Sequence, residues 1–175
     1  MKRTGLNPLI VVCLLALVLL PICACTYQGD EFTFSAPLDF KTKQFDPPES
    51  NLNNDPELLL VSQNGHLYFE LSRQNIPKEG DLESVFNAHK TQSSEISSHY
   101  QFISQSTIEI NDRTAIEYIY REFSGEPYWQ RREIWMENNG WAYTLVCSEP
   151  ADSTPGLVIP VSERCIRLIE GFQFK

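Results

Sequence analysis

A chain of 175 residues, 42% hydrophobic and 11% aromatic, has enough apolar surface for one packed domain, which argues against a disordered protein. Its 14 basic residues face 23 acidic ones, a formal net charge of −9, and this balance argues against a nucleic-acid partner, whose phosphates require a basic face. Without Lys2 and Arg3, which precede a long apolar run, the balance is about −11 and gives no general attraction to an anionic membrane.

Lys2 and Arg3 form a positive n-region, and Leu9–Leu20 carries no charge, the layout of a secretory leader. As a helix this run would rise only about 18 Å, short of a hydrocarbon core of about 30 Å. The competing reading is a permanent single-span anchor, but no stop-transfer pattern follows. Ile22-Cys23-Ala24-Cys25 resembles the bacterial lipobox, with Ile22 where Leu is usual and Cys23 where Ser, Ala or Thr is usual. That resemblance implies a lipoprotein-type signal peptide over residues 1–24, cleavage before Cys25, a diacylglycerol on its sulfur and acylation of its amino group. The alternative, an ordinary leader cut near Ala24 to release a soluble secreted protein, wants a small residue where Ile22 stands. Two or more acyl chains anchor a protein stably where one is marginal. Residues 25–30 read as a short linker, so a single domain over 31–175 would lie close to the bilayer.

Phe32 and Phe34 alternate with Thr33 and Ser35 as a short half-buried strand, and Leu38 and Phe40 continue the alternation past Pro37. Asp46–Pro56 is a loop by composition. Leu58–Gln63 and His66–Arg73 flank Asn64-Gly65, a hairpin signal, because both turn residues tolerate positive φ. Asp81 reads as the N-cap of a helix whose Leu82, Val85, Phe86 and His89 share a face, while Thr91–His99 is too polar to assign.

Tyr100–Asn111, Arg113–Phe123, Tyr128–Glu137 and Trp141–Cys147 read as four successive strands, with turn chemistry at Asn111-Asp112, Ser124–Pro127 and Asn138–Gly140. A closing helix is expected over Pro160–Glu170, with Val161, Cys165, Leu168 and Phe172 in one apolar stripe. Cys165 then faces inward and Cys147 ends the last strand. In an exported protein these two suit a disulfide; as reduced thiols they would act as small buried hydrophobes.

No C-x-x-C, G-x-S-x-G, H-E-x-x-H or phosphate-binding glycine loop occurs, and His66, His89 and His99 lack ligand spacing, so no metal or cofactor is expected. Glu117 and Glu133 lie on adjacent strands, either as a carboxylate pair or as cross-strand partners of Arg131 and Arg132. Tyr128, Trp129, Arg131 and Arg132, with Arg121 nearby, form a candidate partner-binding patch at a hairpin tip, since Tyr, Trp and Arg dominate binding hot spots.

The order of elements resembles the small PsbP-like and DcrB-like bacterial lipoproteins. The resemblance lies in Phe32–Phe40, in Ile110–Ala115 leading a long strand, in Gly140–Leu145 and in Arg167–Phe172, with Asn111-Asp112 where relatives carry a Gly. It implies an α+β fold, a twisted antiparallel sheet flanked by helices in an α/β/α sandwich. It also implies a non-enzymatic extracytoplasmic envelope protein, lipid-anchored to a bacterial membrane through Cys25 and able to meet an envelope protein partner. A small secreted or envelope hydrolase on the same scaffold is the alternative.

Overall fold

The computed structural model describes residues 25–46, 55–96, 100–122, 128–151 and 160–175. The leader expected over 1–24, most of the Asp46–Pro56 loop, the Ser124–Pro127 turn and His99 lie outside the described residues. The chain runs β1 (Cys25–Gln28), β2 (Phe32–Ala36), β3 (Lys41–Gln44), β4 (Glu57–Asn64), β5 (Leu67–Asn75), α1 (Leu82–Ile96), β6 (Gln101–Ile110), β7 (Arg113–Glu122), β8 (Tyr128–Asn138), β9 (Trp141–Ala151), α2 (Glu163–Glu170) and β10 (Phe172–Phe174). Among the described residues two sheets form, one of three strands in the order β1-β2-β10 and one of seven in the order β3-β4-β5-β9-β8-β7-β6. Every strand pair is antiparallel.

The turns follow from their residues. Asn111 and Asp112 both take positive φ (49° and 61°), as do Asn139 and Gly140 (52° and 78°), the requirement of a two-residue type I′ hairpin. The first large hairpin differs from expectation. Asn64 pairs with Leu67, so the turn residues are Gly65 and His66, with Gly65 at φ 60° in the first central position. A bulge between Leu58 and Leu60 lets both Leu59 and Leu60 be buried.

The seven-stranded sheet is covered on both faces. On one, Leu60, Phe69, Leu71, Ile134, Met136, Leu145 and Cys147 meet Phe32, Phe34 and Phe172 of the small sheet and Cys165, Leu168 and Ile169 of α2. On the other, Tyr118, Tyr120, Trp135 and Ala142 meet Val85 and Phe86 of α1. The layers are therefore helix, large sheet, then small sheet with helix.

Asp81 caps α1 as expected: its Oδ1 accepts from the Ser84 N–H at 2.8 Å, and Ser84 Oγ accepts from the Asp81 N–H at 3.0 Å. Three expectations need correction. Residues 25–28 are not a linker; Cys25–Gln28 pair with Thr33–Ala36 as β1. The closing helix starts later than Pro160, because Ser162 Oγ accepts from the Cys165 N–H at 3.2 Å and fixes the first turn there. Phe172 is not on a helical stripe. Gly171 ends α2 and packs so closely on the Ser35 carbonyl that a Cβ would collide with it, and Phe172 then joins β10 opposite Phe34.

A disulfide joins Cys147 of β9 to Cys165 of α2, with 5.9 Å between their Cα atoms, inside the usual bridging range. It fastens the short helix to the sheet. Replacing both cysteines by serine should lower the unfolding free energy by about 3 kcal/mol in the chain-entropy account. Urea denaturation checks this, and an unchanged midpoint would contradict it.

Candidate functional site

Strand alternation divides the expected binding patch. Trp129, Arg131, Glu133 and Trp135 of β8 share the face beneath α1, while Tyr128, Gln130, Arg132 and Ile134 share the disulfide face. Arg121 is not at a presenting tip. It pairs with Gln130 on the disulfide face and is only 3% exposed. The Glu117–Glu133 carboxylate pair does not form either, because Glu117 sits opposite Ile134 and its side chain points to the other face. There it accepts from Arg132 Nε at 2.7 Å and from Ser106 Oγ at 2.9 Å. Arg131 instead pairs with Glu122 across the strand on the α1 side.

Beneath α1 lies a buried carboxylate with a full set of donors. Glu133 is 2% exposed. Its Oε1 accepts from Tyr120 Oη at 2.8 Å, its Oε2 accepts from Trp135 Nε1 at 2.9 Å, and His89 Nε2 lies 3.3 Å from each oxygen. Burial opposes the charge on Glu133, but the bonds from His89, Trp135 and Tyr120 outweigh it and hold the carboxyl below its ordinary value. Burial first, then the neighbouring Glu133 charge, drives the Tyr120 hydroxyl upward, and the same two causes push Tyr118 up to about 12. Both phenols therefore stay protonated at neutral pH, and Tyr120 is the one that donates to Glu133.

The network is built from separate elements. The Asp81 cap sets the phase of α1, so that Val85, Phe86 and His89 descend one stripe onto the sheet. His89 lies tilted against Trp135 at 4.9 Å and Phe86 meets the same ring edge-on at 5.7 Å. Around Glu133 opens a cavity of about 270 Å³ lined by Glu70, Arg73, His89, Tyr120, Glu122 and Arg131 among others. His89, Gln74 and Pro56 also border an adjoining groove of about 470 Å³ that runs along α1 past Val85 and Gln92. Among the described residues Arg131 Nε is buried without a hydrogen-bond partner.

Ser93, His89 and Glu133 are the types found in a hydrolase triad, but the geometry is not a relay. Ser93 Oγ approaches His89 Nε2 at 3.3 Å, the same ring nitrogen that faces Glu133. A relay needs the acid on one nitrogen and the nucleophile on the other. Among the described residues no cluster of metal-binding side chains occurs. The sequence placed His89 on the inward stripe of α1, but its pairing with Glu133, 44 residues away, has no local signal. The trace that was present is the period-two pattern setting Glu133 on the same face as Trp135.

No family model and no curated protein matches the sequence. Among solved structures, the chain is similar to cyanobacterial PsbP (CyanoP) from Synechocystis sp. PCC 6803. The identity is 14%, with 88% of this chain and 94% of that chain covered, at a TM-score of 0.58. Partial likenesses extend to the protein of unknown function PA94 from Pseudomonas aeruginosa (13% identity, 73% and 83% covered, TM-score 0.45). They extend also to a protein from Bacteroides thetaiotaomicron VPI-5482 (12% identity, 82% and 45% covered, TM-score 0.47). The fold is PsbP-like: mostly antiparallel sheet with, among the described residues, two helices.

Proposed function

We propose that this PsbP-like domain is a lipid-anchored module of a bacterial envelope that works by binding and not by turnover. Cys25 tethers it, and the cleft beside α1 receives an envelope protein partner. The observation that carries the binding reading is the single ring nitrogen of His89 shared between Ser93 and Glu133, which makes the polar cluster a fixed anchor and not a proton relay. The Cys147–Cys165 bridge supports a place outside the cytoplasm, where disulfides persist. Arg131 and Trp129 are the half of the patch that shares the cleft's face, and Arg131 lines the cavity.

Arg131→Ala combined with Trp129→Ala should therefore reduce partner recovery by about tenfold in crosslinking from native membranes, as loss of a hot spot does. The melting temperature should fall little, because a half-exposed pair such as Arg131–Glu122 contributes at most about 1 kcal/mol. An unchanged set of crosslinked partners would refute the cleft as the docking site.

A further inference from the structure

We propose that the end of the domain holding Cys25 is a membrane-resting pole, seated on anionic phospholipid headgroups. The proposal builds on the tether at Cys25 and specifies which surface that tether presses against the bilayer.

The anchor point has no slack. β1 begins at Cys25 itself, which pairs with Ala36, so the sulfur sits beside the Pro37–Phe40 turn. β1 and β2 are in turn clamped to the large sheet. Arg73 donates to Glu31 at 3.2 Å, Tyr143 Oη donates to Glu31, and Gln44 donates to the Gln28 carbonyl at 3.3 Å, all at the turn end of the β1–β2 hairpin, while Cys25 is held by its pairing with Ala36. A chain acylated at Cys25 would thus be held by a fixed corner and not by a flexible leash.

That corner has the composition of a membrane contact. Leu38, at the tip of the turn, is 60% exposed, the most exposed large hydrophobic residue among those described. Its neighbour Asp39 is already engaged, accepting from Asn64 Nδ2 at 2.5 Å and facing Arg164 at 3.7 Å. Lys41 pairs with Gln63 next to the Gly65-His66 turn and is exposed, as are Lys43 and His66. The exposed Glu163 is the acidic neighbour on α2, and it meets Arg167 at 3.4 Å. In a chain of net charge −9, Lys41 and Arg164 stand at this end beside one protruding leucine, while Lys43 turns to the Phe45 ring at 4.6 Å. An apolar side chain entering the interface, flanked by cations over lipid phosphates, is the pattern of a peripheral membrane contact. Strand directions place Gly65, Tyr128 and Trp129 toward the same end of the large sheet, and Asn111-Asp112 and Glu137 toward the other.

The test uses the full acylated chain, in which Cys25 is blocked by lipid and Cys147–Cys165 are bridged, so an introduced cysteine is the reactive thiol. Leu38→Cys and, as a distal control, Glu137→Cys are each reconstituted in phosphatidylcholine–phosphatidylglycerol vesicles and labelled with an impermeant maleimide. We expect Leu38→Cys to react about tenfold slower in vesicles than in detergent, with Glu137→Cys unchanged. Adding Lys41→Glu and Arg164→Glu should restore its reactivity. Equal rates for Leu38→Cys in both media, in a chain that still floats with the vesicles, overturn the pole and leave the tether standing. Failure to float overturns the tether, and the pole with it. Protection that needs other envelope proteins assigns this end to a protein partner and overturns the proposal, as does protection that charge reversal leaves in place.

Discussion

Glu133→Ala is expected to lower the unfolding free energy by about 3–5 kcal/mol, a loss of the size expected for truncating a buried aromatic side chain. The substitution leaves three donors facing an empty volume: the Tyr120 hydroxyl, the Trp135 indole N–H and His89. Two of these residues are almost wholly buried, Tyr120 at 3% and Trp135 at 2% exposure, so their donors lose a charged acceptor that was fixed in place. Glu133→Gln keeps the shape but turns one acceptor into a donor, and should cost about 2 kcal/mol. The pH dependence separates charge from packing. The folded carboxyl lies below its reference value of 4.5, so the unfolded state binds the proton more readily. Its stabilisation is fully present above that reference value and is lost as pH falls through the folded value. Urea denaturation between neutral pH and pH of about 3 should show this acid-side loss in the natural protein and a flatter profile in Glu133→Gln. Identical pH profiles for the two proteins would mean that Glu133 carries no net charge stabilisation.

Cys25→Ser is expected to abolish acylation and to block removal of the leader. The physical reason is that the thioether to diacylglycerol needs the Cys25 sulfur, which serine lacks. Among the described residues no helix is long and apolar enough to cross a membrane. The contact proposed at Leu38, one leucine with a few cations, is weak by itself, whereas multiple acyl chains hold a protein durably. Incorporation of labelled fatty acid into Cys25→Ser beside the natural sequence checks the expectation. Unchanged incorporation would remove Cys25 as the anchor.

The parts of the fold legible in the sequence are those set by local chemistry. Asn111-Asp112 and Asn139-Gly140 announce their turns because few residues accept positive φ, and the strands they join read cleanly by period-two alternation. The Asp81 cap likewise fixed α1. What was hidden depends on partners distant in the chain. β1 alternates over only four residues, too few for a period-two signal to stand out, and Cys25–Gln28 becomes a strand because β2 offers an edge. β9 runs on through Pro150 to Ala151, although proline usually marks a break. Beyond Ser148 it has lost β5 as a neighbour and lies at an edge, where a missing N–H is tolerated. Arg121 looked like a surface cation because nothing local says that β7 turns it inward. The candidate site was half legible for the same reason. Period two put Trp129 and Arg131 together with Glu133, while the helix that completes the cleft arrives from forty-odd residues earlier in the chain.

The most direct test of the tethered reading is the intact mass of the natural protein extracted from its own membranes, with the N-terminal residue identified. The account predicts a chain that starts at Cys25 and carries the added mass of a diacylglycerol and an amide-linked acyl group. A mature chain that begins downstream of Cys25 without acyl mass would contradict it.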